Sequence, residues 1–212
     1  MTYALSSLSV HPTPEALDWL PAAAMDETPT DHQLMLAVRD GDLDSLGLLF
    51  ERQSRPLLGF LVKTTGNRAA AEDILQTVFQ RMLKYRHTYR DDGSLCAWMY
   101  HLARRCTADH FRKASRAPEA TDPSVLDAHT DGAPSSRDSA RSRDDHALLQ
   151  VALSRLDQDD RDVLLMSRMR ELPFSEIASV LECSVGAAKV RAHRALRQLR
   201  DIYLTLQKTT LP

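Results

Sequence analysis

The sequence predicts an all-α protein: two small helical domains joined by a flexible linker, the C-terminal one a helix-turn-helix. Three observations predict it. Apolar residues recur at helical spacing over most of the chain. No stretch alternates apolar and polar residues as a half-buried strand does. A segment rich in Pro, Ser, Asp and Ala, with little apolar content, divides the helical pattern in two. A length of 212 residues allows one domain or two small ones, and the 43% hydrophobic content is ordinary for a globular protein.

Residues 1–30 carry Pro12, Pro14, Pro21 and Pro29 among Ser, Thr and Ala. They read as a disordered arm with a short helix around Glu15–Leu20. Residues 31–113 read as the first helical domain. Asp31 can cap a helix carrying Leu34, Met35 and Val38, and Gly41-Asp42 interrupts it. A second helix carries Leu46, Leu49 and Phe50, and Pro56 marks another break or a first turn. Gly66-Asn67 is a turn signal. Beyond it, Ile74, Leu75, Val78, Phe79 and Met82 lie at helical spacing over Ala70–Tyr85. Asp91-Asp92-Gly93-Ser94 is a loop, and Ser94 can cap a helix from Leu95 to about Lys113.

Residues 114–145, with Pro118, Pro123 and Pro134, read as the flexible linker. Helical pattern returns over 146–206. Leu148, Leu149, Val151, Ala152, Leu153 and Leu156 mark one segment, and Asp159–Met169 the next. Glu171-Leu172-Pro173 is a break, followed by helices over Phe174–Leu181 and Val185–Leu206.

The last two helices carry the clearest motif. Phe174–Leu181 is short and amphipathic, with Ile177, Ala178 and Leu181 inward. Glu182-Cys183 forms a turn, and Ser184 is a good N-cap. Short helix, tight turn and basic helix make a helix-turn-helix. From Ser184 to Arg200 the second helix holds Lys189, Arg191, Arg194, Arg197 and Arg200 and no acid. At 100° per residue, Val185, Ala188, Ala192, Ala195, Leu196 and Leu199 share one face. Ala187, Val190, Arg194 and Arg197 centre the opposite one, flanked by Arg191 and His193. Small residues there allow close approach to bases in a major groove. The candidate DNA-contacting set is Ser184, Ala187, Lys189, Val190, Arg191, His193, Arg194 and Arg197. A solvated arginine-rich helix would account for the charge alone, but not for the preceding helix, turn and cap.

The Leu95–Lys113 helix reads independently. Leu95, Trp98, Met99, Leu102 and Cys106 share an inner face. Tyr100, Arg104, Ala108 and Phe111 share an outer one, with His101, Arg105 and Arg112 beside them. Aromatic and basic side chains on one surface suit single-stranded DNA, where bases stack and phosphates need counter-charge.

Net charge is −2, which excludes a globally basic nucleic-acid coat, so any DNA binding must come from local surfaces. Cys96, Cys106 and Cys183 do not read as a disulfide framework. Cys106 and His110 stand at i, i+4 with His101 nearby, but a buried cysteine beside a structural histidine reads better than a metal site. No cofactor and no metal is expected. No membrane span or secretory signal is apparent, which makes cytoplasmic residence the expectation.

On these motifs the chain resembles the extracytoplasmic-function (ECF) sigma factors of the sigma-70 family. RDVLLMSRMRELPFSEIASVLECSVGAAKVRAHRALRQLR looks like the family's region 4. AAAEDILQTVFQRMLKY resembles region 2.2, and SLCAWMYHLARRCTADHFRK resembles regions 2.3 and 2.4. The resemblance implies a non-enzymatic factor that binds core RNA polymerase, at its clamp helices and flap, and promoter DNA. Region 4 would read the −35 element. Region 2 would open the −10 element, through Tyr100, His101, Arg104, Arg105, Phe111, Arg112 and Lys113. Asp73, Gln76 and Phe79 would contact the polymerase clamp, although core packing explains Phe79 equally well. The loop Asp91–Ser94 sits where the family captures a flipped base, and Trp98 reads as core. An anti-sigma partner is also implied.

Three positions depart from the family pattern. Thr77 stands where an acid is frequent, Arg105 where Asn is common, and Glu182 where the turn often has Gly. A non-Gly residue held in the left-handed region there would cost about 1 kcal/mol. The family's two promoter elements lie on the order of 70 Å apart. A linker of about 30 residues reaches at most roughly 100 Å and relaxes to roughly 30 Å, so it bridges them only when stretched. Two other readings stay open: a conventional helix-turn-helix regulator with a helical sensor domain, and a helical enzyme using His101, Cys106 and His110. The aromatic-basic helix speaks against the first. The lack of a paired acid, a nucleophile-base pair or a phosphate loop speaks against the second.

Overall fold

The computed structural model describes residues 28–116 and 137–210, so the expectations for the first 27 residues and for residues 117–136 lie outside the described part. Among the described residues the regular elements are all helical. The first half comprises α1 (Asp31–Asp40), α2 (Asp44–Thr65), α3 (Arg68–Lys84), a 3-10 turn (Arg86–Thr88) and α4 (Leu95–Ala114). The second comprises α5 (Arg137–Ser154), α6 (Gln158–Arg168), α7 (Phe174–Val180) and α8 (Val185–Thr210).

Helix ends follow their capping chemistry, with one correction. Thr30, not Asp31, caps α1: its hydroxyl accepts from the Gln33 N–H at 3.2 Å, and the Gln33 side chain accepts from the Thr30 N–H at 2.7 Å. Asp31 instead accepts from Arg52 and Gln53 of α2. Gly41, at φ 112°, ends α1 in the left-handed conformation that glycine adopts without a Cβ clash. Asn67 and Ser94 cap α3 and α4 through the N–H groups of Ala70 and Ala97.

Two boundaries differ from the sequence reading. Pro56 does not break α2. The proline removes one helical hydrogen bond, but Leu49, Leu57, Phe60 and Leu61 on both sides of it are buried in one core, and that packing carries the helix through. Residues 137–145, assigned to the linker, belong to α5. The charged and serine-rich start of α5 has no apolar face to betray it, yet Asp145 is tied to α8 by an accepted hydrogen bond from the Tyr203 hydroxyl at 3.1 Å.

α2, α3 and α4 pack together with α1 across α2, while α5, α6 and α7 pack around α8. The two halves also pack on one another: α4 lies against α7, and α2 lies against α5 and α6. The buried apolar side chains of both halves form one continuous cluster. Arg161 of α6 fastens the seam. Its guanidinium donates to the carbonyls of Leu153 (2.8 Å), Ser154 (3.1 Å) and Leu156 (3.0 Å) at the end of α5, and of Thr64 (2.6 Å) at the end of α2. Both helix ends leave carbonyls without an intrahelical partner, and a cation there complements the helix dipole.

Candidate nucleic-acid interface

α7, its turn and α8 form the expected helix-turn-helix. The turn closes through the Cys183 N–H donating to the Ala178 carbonyl at 3.0 Å, and Ser184 caps α8 by accepting from the Ala187 N–H at 3.1 Å. Glu182 stands at φ 52°, the left-handed conformation in which its Cβ is strained. Its carboxylate lies 3.9 Å from His101 Nδ1 on α4.

Ala188 and Ala195 are fully buried where α8 meets α6 and α7. Val185 and Leu196, expected on the same face, are 42% and 39% exposed. Val185 is the first residue of α8, and Leu196 borders an open groove between α8 and Asp145, His146 and Leu149 of α5. Ser184, Ala187, Lys189, Val190, His193, Arg194 and Arg197 are all exposed. Lys189, Arg194 and Arg197 have no acidic partner among the described residues. Val190 is 63% exposed, an apolar side chain open to solvent between cations. That surface offers phosphate contacts, guanidinium donors for a base edge, and a methyl-bearing side chain for a thymine methyl. Arg191 differs: it is half-buried, pairs with Asp159, and its Nε lies 3.8 Å from Asp160.

α4 requires a correction. Tyr100, expected on the outer face, is fully buried. Its ring stands edge-on to Phe60 of α2 with centroids 4.9 Å apart. Burial pushes its phenol up to about 12, against the pull of nearby Arg170 from the other half. The cause is that α4 has neighbours on more than one side, since α7 covers it as well as α2 and α3. The single inner stripe read from periodicity is therefore too narrow.

The other residues of this set are open to different degrees. Arg105, Phe111, Arg112 and Lys113 are exposed, and Arg112 pairs with Asp109 one turn earlier. His101 is half-buried. Arg104 is held more firmly. Its Nε donates to Asp162 at 2.9 Å, Nη1 donates to the Val180 carbonyl at 3.0 Å, and Nη2 pairs with Asp159. Asp159 and Asp162 were not singled out in the sequence. They lie 55 and 58 positions from Arg104, with no local spacing to connect them.

Trp98 packs against the core with its ring 5.4 Å from Tyr89. In the neighbouring loop the Tyr89 hydroxyl donates to the Gly93 carbonyl at 3.0 Å, and Asp91 pairs with Arg39. On α3, Asp73 and Gln76 are exposed. Phe79 is 7% exposed and meets Phe50 edge-on at 4.9 Å, so apolar packing occupies most of its surface. The Thr77 hydroxyl donates to the Asp73 carbonyl at 2.9 Å. Cys106 is buried, and burial pushes its thiol up.

Comparison with known proteins matches both halves. Residues 49–117 match the model of sigma-70 region 2, and residues 146–199 match that of sigma-70 region 4. The chain is 32% identical to RNA polymerase sigma factor CarQ of Myxococcus xanthus over 171 residues, covering 77% of this chain and 92% of CarQ. It is 29% identical to ECF RNA polymerase sigma factor BldN of Streptomyces coelicolor, covering 79% of this chain and 63% of BldN. It is 30% identical to ECF RNA polymerase sigma factor SigL of Mycobacterium tuberculosis, covering 76% of this chain and 88% of SigL. The fold is similar to that of CnrH, solved in complex with the cytosolic domain of CnrY (TM-score 0.62, 20% identity, 81% of this chain and 96% of that one). It is also similar to the sigma factor RpoE solved with the anti-sigma factor NepR from Bartonella quintana (TM-score 0.55, 17% identity, 74% and 94%). With both regions matched in order and a curated relative covered over nearly its whole length, this chain belongs to the sigma-70 family and is an RNA polymerase sigma factor of the extracytoplasmic-function type.

Proposed function

We propose that residues 31–113 act as the polymerase-clamp and −10 module, and residues 146–206 as the −35 module, joined by a tether whose helical portion begins at Arg137. The observation that carries this reading is the strip Ala187, Lys189, Val190, Arg194 and Arg197 on α8. It is exposed, basic and free of acid partners among the described residues, and it is seated on its domain through buried Ala188 and Ala195. Such a helix reads duplex DNA in the major groove.

Arg104, Arg105, Phe111, Arg112 and Lys113 on α4, with His101, serve the separated −10 strand by stacking and phosphate neutralisation. Tyr100 contributes by holding α4 to α2 rather than by touching DNA. The chain supplies recognition, and the polymerase makes the bonds. Among the described residues no helix is long and apolar enough to cross a membrane; work on the chromosome places the protein in the cytoplasm. By analogy with the complex of RpoE and NepR, an anti-sigma protein is the expected negative regulator.

Asp73 and Gln76 form the exposed polar face offered to the polymerase clamp, with Phe79 at its apolar edge. The test is Asp73→Arg in the full chain. The variant should keep the wild-type thermal unfolding profile yet co-elute with bacterial core RNA polymerase about tenfold more weakly, a loss of about 1.4 kcal/mol. Undiminished co-elution would refute the assignment.

A further inference from the structure

Between α5 and α8 lies an open groove of 330 Å³. Leu149 of α5 and Leu199 of α8 pack inward against the core and turn their other sides to it. Leu196, Leu199 and Tyr203 follow one another at three and four positions along α8, which puts them on one face. Asp145, at the edge, is already engaged by the Tyr203 hydroxyl. Arg200 is exposed on the rim and pairs with no acid among the described residues. The groove is therefore apolar within and carries a free cation at its border. Its volume is at the lower end of ligand pockets, roughly 300–1,000 Å³, and takes a few side chains rather than a whole element.

The chain itself holds a segment of matching chemistry. Before Thr28, the first described residue, come 27 residues. Residues 1–30 contain Glu15, Asp18, Asp26 and Glu27 and no Lys or Arg. Thr13-Pro14 is a helix start and Pro21 a stop. At 100° per residue, Ala16, Leu17, Trp19 and Leu20 share one face of that segment, and Glu15 and Asp18 lie on the other.

We propose that Thr13–Leu20 docks in the α5–α8 groove of its own chain, with Leu17, Trp19 and Leu20 against the apolar floor and its acids beside Arg200. The complementarity is both apolar and electrostatic. The reach is sufficient. The Pro29 carbonyl accepts from Arg52 at 2.7 Å, which fastens the root of the arm to α2. α5 meets α2 ten residues farther on, where Gln150 donates to the Val62 carbonyl at 3.2 Å. Ten residues of helix are about 15 Å. The nine residues from Leu20 to Pro29 extend to roughly 30 Å. That crosses α2 and leaves length to enter the groove beside Leu149. A tether this short sets an effective concentration on the order of millimolar, so weak docking suffices. Any partner helix that takes the same groove has to displace the arm.

The test uses Trp19 in the full chain. Trp19→Phe leaves Trp98 as the only tryptophan, so subtracting its signal from that of the wild type isolates Trp19. Acrylamide quenching of this difference signal is compared with that of a synthetic peptide of residues 1–27. Docking predicts quenching at least about twofold weaker in the chain than in the peptide, unchanged by dilution. Leu17→Glu and Leu196→Glu, each with its own Trp19→Phe control, should return quenching to the peptide's level.

Peptide-like quenching in the wild type overturns the docking. Protection that survives Leu196→Glu in a chain with the wild-type unfolding profile places the arm elsewhere and overturns the groove assignment. Leu17→Glu changes only the arm, so it decides the matter if Leu196→Glu alters folding: protection that survives it overturns the contact. Protection lost on dilution shows that a second copy's arm fills the groove, and overturns docking within one chain.

Discussion

Arg104 and Asp162 meet across the two halves of the molecule, Nε to Oδ2 at 2.9 Å, with the aspartate fully buried. Burial dominates the aspartate's titration and raises its pKa to about 6, while Arg104 and Arg161 draw it down and Asp159 adds to the rise. The folded-state value thus lies above the unfolded one, so between them the folded protein holds more protons. The stabilisation belongs to the protonated form. It is complete below pH about 4 and is lost as pH rises through about 6. The Asp162→Asn variant should lack this contribution. Its unfolding free energy, measured in urea from pH 4 to 6, should fall less steeply than that of the wild type, by at most about 1.4 kcal/mol per pH unit. Parallel slopes would show that the ion pair cancels the effect of burial, and a steeper fall in Asp162→Asn would show that it outweighs it.

Tyr100 serves the core. Tyr100→Ala removes a fully buried ring from the edge-to-face pair with Phe60. It should cost about 3–5 kcal/mol of stability, in the range of large aromatic truncations. Chemical denaturation checks it. A loss below about 1 kcal/mol would mean that the ring is not a structural element.

Glu182 occupies the helix-turn-helix corner at φ 52°. Glu182→Gly removes the Cβ that makes this conformation unfavourable. It should stabilise the protein by about 0.5–1 kcal/mol, the relief of left-handed strain less the extra freedom glycine brings to the unfolded chain. A melting temperature below that of the wild type would show that the carboxylate facing His101 outweighs the strain.

Arg194 is the exposed cation at the centre of the α8 strip. Arg194→Ala should cost about 1–3 kcal/mol of promoter affinity and relax selectivity at the base pairs it reads. Lys189→Ala should weaken binding evenly across sequences, as loss of a phosphate contact does. Competition binding with single-base promoter variants separates the two. Retained selectivity in Arg194→Ala would remove its base-reading role.

Much of the fold was legible locally. Gly66-Asn67, Ser94 and Ser184 mark helix ends because turn and capping chemistry acts over three or four residues; the two serine caps form as read, and the Gly66-Asn67 turn separates α2 from α3, with Asn67 also capping α3. The strained corner at Glu182 was legible only through the family resemblance, since the family's turn often has Gly there. What the sequence concealed is set by distant packing. Pro56 reads as a break, but the core on both sides of it holds α2 together. Tyr100 reads as outward because periodicity gives one buried stripe, whereas α4 is sandwiched. The start of α5 carries no apolar signal at all. The acids that grip Arg104 lie on α6, and no spacing rule connects residues brought together only by the seam between the halves.

The most direct measurement is run-off transcription with purified bacterial core RNA polymerase, this chain and a pool of promoter fragments. The expected result is initiation from a discrete subset of promoters, dependent on the chain, with no duplex occupied at similar strength when polymerase is omitted. Sequence-specific occupancy of duplex DNA by the chain alone, with no transcription when core polymerase is added, would contradict the assignment of its DNA-binding surfaces to promoter recognition within the polymerase.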